Sequence, residues 1–279
     1  MQVAVLGLGL IGSVWARHWH ADGHAVRAWN RTPKPEQPGW TADPLAAVRG
    51  ADVVALVLAD GPVTAEIVAR IAPALKPGMT VCQHATIGVD EVQALAAAVR
   101  ATGAQFLDMP FTGSLPAAQA RQNVFFCGDD TGAFAHVESL YRALSKAVLP
   151  YPAVGQAMTV KLVMNSVIAN TFQALAEGLG LARAAGLSDG QFFAALDLNV
   201  AKSGVADLKK AKLEQGDFAP QFSVKHLHKD LALALRLAGT TDAAMPQTEH
   251  LLAAYAERLA AGDGDLDFSV LIKAAGRPR

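Results

Sequence analysis

Lys161 and Asn165 stand four residues apart in an otherwise apolar stretch that includes Met158, Leu162, Val163, Met164 and Ile168. On a helix that spacing places both side chains on one face. An amine in such surroundings must find a polar partner, reach water or give up its charge. Beside a carbonyl it can donate the proton that reduction requires, and its neutral form can take the alcohol proton back in reverse. Asn165 can hydrogen-bond a substrate oxygen without adding charge. The spacing fits equally a lysine that snorkels to water and an asparagine bonded to another helix.

A second constellation opens the chain. The apolar run Met1–Leu6 leads into Gly7-Leu8-Gly9-Leu10-Ile11-Gly12, then a helical stretch through Trp19 and a second apolar run, Ala25–Trp29. Strand, glycine turn, helix, strand is the context in which GxGxxG binds a dinucleotide. Gly7 permits the tight turn, Gly9 lets a pyrophosphate approach the backbone, and Gly12 lets the helix pack closely on the sheet. The helix start offers N–H groups and a positive dipole end to the phosphates. At the tip of the second strand, Asn30-Arg31-Thr32 carries no acid to accept a ribose 2′-hydroxyl. Arg31 offers instead a planar fork for a 2′-phosphate, with neutral hydrogen-bonding groups on either side. NADPH is therefore expected over NADH.

These residues need a frame. Up to about Pro150, β-type runs alternate with helical ones: further strands are expected at Ala51–Leu58, Thr80–Gln83, Ala104–Asp108 and Val124–Cys127. Such alternation predicts a Rossmann-type, doubly wound parallel sheet with helices on both faces. Ligands bind such sheets beyond the carboxyl ends of the strands. The loops at Gly7–Gly12, Leu58–Pro62, His84–Gly88 and Met109–Ala117 should gather there. After Pro150-Tyr151-Pro152 the pattern becomes helical throughout. A long helix is predicted from Gln156 to Ala185, about 45 Å, followed by helices over Asp189–Asn199, Val205–Gln215, Val224–Gly239 and Met245–Gly262. The expected organisation is a dinucleotide-binding domain over 1–153 and an all-α domain over 154–279. The residues from Gly276 to Arg279 read as a frayed end.

Composition sets outer limits. Of 279 residues, 52% are hydrophobic and 18% charged, so the chain can bury a large core. A formal net charge of −1 gives no basic face for nucleic acid. Cys82 and Cys127 form no metal or redox pattern, which favours a reduced, cytoplasmic setting. The apolar start lacks a basic leader region and is broken by glycines, and no apolar run is long enough to span a bilayer. His18, His20 and His24 crowd one segment without a second ligand cluster, so no metal is expected. His226 and His228 read as solvated. His84 could be a second acid, but lining of the pocket is the preferred reading. The four tryptophans read as packing.

The ordered segments together resemble the β-hydroxyacid dehydrogenases, a group similar to 3-hydroxyisobutyrate dehydrogenase and the glyoxylate/succinic semialdehyde reductases. Val3–Gly12 resembles the cofactor fingerprint and Asn30-Arg31-Thr32 the NADP-type ribose segment. Asp108-Met109-Pro110-Phe111-Thr112-Gly113-Ser114 resembles the substrate segment D-x-P-V-S-G-G/S. Gly155 through Lys161 to Asn165 matches G-x5-K-x3-N, and Lys229-Asp230-Leu231 a late K-D-L. The resemblance implies that Lys161 is the proton donor and acceptor and that Asn165 binds substrate. It implies that Thr112 and Gly113, in the segment ending at Ser114, hold a substrate carboxylate. Thr86 and Lys229 would contact the cofactor near the nicotinamide, with Leu58, Ala59 and Asp60 passing the adenosine side. Lys229 alone also reads as a partner for Asp230 or a solvated charge.

Thr112 replaces the usual serine, Phe111 a small branched residue, and Ala85 a frequent serine. The expected activity is NADPH-dependent hydride transfer with a small carboxylate-bearing aldehyde, 2-oxo acid or hydroxy acid. Imine reductases resemble the same scaffold but typically lack the helix lysine; imine reduction and a non-catalytic NADPH-binding protein are the alternatives. The long apolar helix suggests a homodimer.

Overall fold

The computed structural model describes residues 1–274, in two compact units that meet in the chain at Lys161/Leu162. The Gly276–Arg279 tail lies outside the described residues. In the first unit the strands are β1 (Gln2–Leu6), β2 (Ala25–Trp29), β3 (Val53–Leu56), β4 (Thr80–Gln83), β5 (Gln105–Asp108), β6 (Phe111–Thr112), β7 (Asn123–Gly128) and β8 (Ser145–Tyr151). Its helices are α1 (Leu10–Ala21), α2 (Pro44–Val48), α3 (Gly61–Ile71), α4 (Val89–Arg100), α5 (Leu115–Gln119) and α6 (Phe134–Arg142).

The sheet order is β2-β1-β3-β4-β5-β7-β6, with β8 also paired to β7. From β2 to β5 every pairing is parallel. β3 and β4 are buried along their whole length, as apolar runs covered on both faces require. β1 lies between β2 and β3, where the chain order reverses, so the glycine loop leaves the sheet at the switch point. Beyond β5 the sheet is mixed. β7 runs antiparallel to β5 and β6 and parallel to β8. The short β6 and the β8 strand had no clear alternation in the sequence; both owe their conformation to β7.

The core of this unit contains Trp15, Trp19, Phe125 and Tyr141, all fully buried. The indole N–H of Trp15 donates to Asn123 Oδ1 (3.0 Å), and that of Trp19 to the Leu140 carbonyl (3.1 Å). Both tryptophans are thus packed with their polar edge satisfied.

The 29-residue helix α7 (Gln156–Ala184) begins in the first unit and continues into the second. The opening turn of this helix is bonded to β5 and belongs to the first unit. The second unit continues with α8 (Asp189–Asp197), α9 (Gly204–Gln215), α10 (Val224–Ala238) and α11 (Pro246–Ala260), then a 3-10 segment, Phe268–Ala274. Ser188 and Gln191 form a reciprocal cap at the start of α8. Its core gathers Phe172, Leu179, Phe193, Leu227, Leu231 and Tyr255. Lys209, wholly buried, donates to Asp267 Oδ1 at 2.7 Å and lies 4.4 Å from the centre of the Phe268 ring. Asp267 also accepts from the backbone N–H groups of Gln221, Phe222 and Ser269.

Candidate active site

The glycine loop has the geometry its spacing implied. Gly7 sits at φ +106°, where a side chain is strained, and a Cβ there would fall 2.1 Å from the Val57 carbonyl oxygen. A Cβ on Gly12 would lie 2.0 Å from the Gly7 carbonyl oxygen. Around Gly9 the reverse holds: a Cβ would meet nothing within 4 Å. Two of the glycines are therefore required by the protein itself, and the middle one faces open space. Gly9 is also the N-cap of α1, which has no side-chain cap. The loop thus fits a pyrophosphate, which could take up the helix-terminal N–H groups. Leu8 is buried, whereas Leu10 is 59% exposed and Ile11 half-buried.

The ribose segment divides its labour. Asn30 Oδ1 accepts from the Leu8 N–H (2.9 Å), and its amide donates to the Thr32 carbonyl (2.9 Å). Asn30 therefore ties the glycine loop to the 30–32 turn. Arg31 is exposed and makes no ion pair or hydrogen bond among the described residues. In the loop after β3, Leu58 is half-buried and Ala59 exposed. The Asp60 carboxylate accepts from the Val63 N–H (3.0 Å) as the cap of α3. Asp60 thus shapes the loop through its own helix. Thr86 lies half-buried in the loop after β4.

His84 departs from the expected pocket lining. It is 2% exposed, packed among Trp15, Phe125 and Tyr141. Nδ1 lies 2.6 Å from the Met109 carbonyl and Nε2 2.8 Å from the Tyr141 hydroxyl. A carbonyl only accepts, so Nδ1 carries the proton and Nε2 accepts from the tyrosine. Burial pushes the imidazole down to about 4, so the ring stays neutral. A loop residue was drawn into the core because both its nitrogens found partners there. The other histidines are peripheral: His18 Nε2 lies 3.2 Å from the Ala118 carbonyl, and His226 Nδ1 2.8 Å from the Ser223 hydroxyl. Among the described residues, no three or more His, Cys, Asp or Glu are grouped to hold a metal.

The Asp108–Ser114 segment turns sharply after β6. Gly113 has φ +116°, and a Cβ there would fall 2.6 Å from Asn123 Nδ2. Asn123, fully buried, reaches toward the carbonyls of Thr112 and Gly113 (both 3.4 Å) while accepting from Trp15. Thr112, Gly113 and Ser114 remain half-buried. Asn123 was missed in the sequence; the only signal was a polar residue opening an apolar strand. Phe111 stands edge-on to Trp15 at 4.8 Å, and Lys161 Nζ lies 6.0 Å from the centre of its ring. The structure therefore brings the lysine amine beside the segment carrying Thr112 and Gly113.

Asp108 begins that segment and is fully buried. Its Oδ2 accepts from the backbone N–H groups of Gly155 and Met158, both at 3.0 Å. Its Oδ1 is buried with no hydrogen-bond partner. Burial pushes the carboxyl up to about 7, the two N–H donors offsetting only part of that.

Within the second unit, Asn165 Nδ2 donates to Asp230 Oδ2 (2.6 Å), and Lys229 Nζ donates to Asp230 Oδ1 (2.7 Å). Asn165 and Asp230 are each 2% exposed. The Lys229–Asp230 pairing that the bare sequence allowed is present. A carboxylate only accepts, so the amide nitrogen of Asn165 must face Asp230, and its oxygen is left as an acceptor.

The sequence and the fold have counterparts in known proteins. The profile of the NAD binding domain of 6-phosphogluconate dehydrogenase matches residues 2–155. That described as NAD-binding of NADP-dependent 3-hydroxyisobutyrate dehydrogenase matches residues 155–275. Glyoxylate/succinic semialdehyde reductase 1 of Arabidopsis thaliana is 25% identical, with 98% of each chain covered. The cytokine-like nuclear factor N-PAC of Mus musculus is 27% identical over 98% of this chain but 50% of its own length. The chain thus spans about half the length of these N-PAC relatives. The solved 3-hydroxyisobutyrate dehydrogenase of Mycobacterium tuberculosis, with L-serine, superposes with a TM-score of 0.88 at 26% identity, covering 98% of both chains. By both profiles and by fold, the chain belongs to the β-hydroxyacid dehydrogenase family.

Proposed function

We propose that this protein is an NADPH-dependent reductase of a small aldehyde or 2-oxo acid bearing a carboxylate, such as glyoxylate or succinic semialdehyde. The observation that carries this reading is the Lys161 amine, 6.0 Å from the centre of the ring of Phe111, the residue before Thr112. NADPH, when bound, supplies the hydride. The Gly7–Gly12 loop holds its pyrophosphate through backbone N–H groups, and Arg31 holds the 2′-phosphate. Leu58, Ala59 and Asp60 border the adenosine side, and Thr86 and Lys229 the nicotinamide side. Thr112 and Gly113, with Ser114 closing the turn, bind the substrate carboxylate. Lys161 donates its proton to the carbonyl oxygen as negative charge develops there. Asn165, its amide nitrogen held by Asp230, presents its amide oxygen to the hydroxyl of the alcohol formed on reduction.

We further propose a homodimer in the cytoplasm. Val163, Met164, Val167 and Leu181 of α7 are each at least 40% exposed in the single chain, apolar surface that a second copy could cover. Cys82 and Cys127 are free thiols, and no helix among the described residues is long and apolar enough to cross a membrane.

The test is NADPH and NADH oxidation with glyoxylate, succinic semialdehyde and a cyclic imine. Turnover of the carboxylate-bearing carbonyls with preference for NADPH is expected. Activity confined to the imine assigns imine reduction, and tight NADPH binding without turnover of any of them assigns a binding protein. Sedimentation at micromolar concentration reads the dimer.

A further inference from the structure

The start of α7 lacks a cap of its own. Its capping position is Gly155, which has no side chain, and the segment before it, Pro150-Tyr151-Pro152-Ala153-Val154, offers only the Tyr151 hydroxyl. A helix start normally needs an acceptor for its first N–H groups. Here the acceptor comes from 47 residues earlier in the chain: Asp108, at the carboxyl end of β5, receives the Gly155 and Met158 N–H groups on one oxygen.

The sheet is arranged around that carboxylate. Asp108 pairs across the sheet with Gly128 of β7. A Cβ on Gly128 would lie 3.2 Å from Asp108 Cβ, 3.3 Å from its Oδ2 and 2.8 Å from the Ala153 carbonyl oxygen. Only a residue without a side chain leaves the aspartate this space. The consequence concerns Lys161. Asp108 is joined by four peptide bonds to Thr112, and by hydrogen bonds to the helical turn just before Lys161. One side chain therefore fixes both halves of the proposed substrate site.

We infer that Asp108 is a positioning residue, whose carboxylate sets the distance between the Lys161 amine and the Thr112-Gly113 turn. It touches neither substrate nor cofactor in this role. The inference rests on the proposed reductase activity and deepens it. Misplacing a reacting group by about 1 Å can cost on the order of a hundredfold in rate. The glycine loop on β1 and Arg31 after β2 are not held by Asp108, so cofactor binding should be spared.

The experiment compares wild type with Asp108→Asn, which is isosteric and keeps one acceptor oxygen but lacks the charge. Turnover of succinic semialdehyde should fall about ten- to a hundredfold, while the NADPH Kd changes by less than about twofold. Turnover within about twofold of wild type, or parallel losses of turnover and NADPH affinity, overturns the inference. Should Asp108→Asn not fold, Gly128→Ala displaces the carboxylate without removing it and should show the same split in smaller measure; unchanged turnover there overturns the inference too. If wild type itself turns over no carbonyl, the reductase reading has failed independently. Amide exchange at Gly155 and Met158 then decides: at least about tenfold faster exchange in Asp108→Asn is expected, and unchanged exchange refutes the anchoring.

Discussion

Asp108 and Asp267 are both fully buried aspartates, one in each unit, and they are treated in opposite ways. Asp267 faces the Lys209 ammonium at 2.7 Å and receives further N–H and O–H donors. Burial alone would push its carboxyl up, but the Lys209 charge and these hydrogen bonds more than offset that and hold it below its usual range. Asp108 has two backbone N–H groups on one oxygen and nothing on the other, and burial pushes it up to about 7. Equal burial therefore does not mean equal charge; the partners decide. The saturated carboxylate locks the helical unit. The half-satisfied one joins the end of β5 to the start of α7.

If that division of roles is right, the largest effect belongs to the amine that Asp108 positions. Lys161→Ala should lower carbonyl turnover by about 10² to 10⁴ with little change in the urea unfolding midpoint. Activity within a few-fold of wild type would remove Lys161 from the chemistry. The helical unit should respond the other way round. Lys209→Ala leaves Asp267 buried and unpaired, which should destabilise that unit by about 3–5 kcal/mol, with activity per folded molecule preserved. A loss well under 1 kcal/mol would mean that water reaches Asp267.

The two carboxyls should also bend the pH profile of stability in opposite directions. An unfolded Asp108 ionises near 3.8, while the folded one keeps its proton to about 7. The unfolded chain thus loses its proton first, and the Asp108 contribution drains away as pH rises from about 4 to about 7. Asp267, held low, contributes stability above the ordinary carboxylate range and loses it as pH falls through its depressed value. Denaturant titrations of Asp108→Asn against wild type should therefore diverge by a few kcal/mol over that rising window. Curves that stay parallel there would show that Asp108 is ionised throughout. The smallest effect falls on an exposed charge. Arg31→Ala should raise the KM for NADPH about tenfold or more, the worth of one charge-assisted contact, and leave that for NADH nearly unchanged. Equal changes in both would remove Arg31 from 2′-phosphate recognition.

The parts that were legible in the sequence are those governed by local rules. The GxGxxG turn is set by steric limits at Gly7 and Gly12, so residue type alone reports it. The parallel strands through β5 and the helices from α7 to α11 follow from runs and periodicities contained in single segments. The distant links were not legible. Nothing near His84 announces that Met109 and Tyr141 will claim both its nitrogens. Nor did anything in the sequence announce that the Asp60 carboxylate would cap α3. Asn123 carries no motif, yet it braces the Thr112-Gly113 turn together with Trp15.

Residue identity and spacing fixed the glycine turn after β1 and the change from alternating to helical architecture, because each depends on neighbours along the chain; for Lys161 and Asn165 the spacing gave only a shared helix face. Tertiary folding decided which buried polar groups are satisfied, and by whom: Asp108 by a helix start 47 residues later, Asn165 by Asp230, Asp267 by Lys209. The reason is physical. Buried donors and acceptors are in large majority paired, and the partner is whichever group the fold brings within about 3 Å, at any distance in sequence.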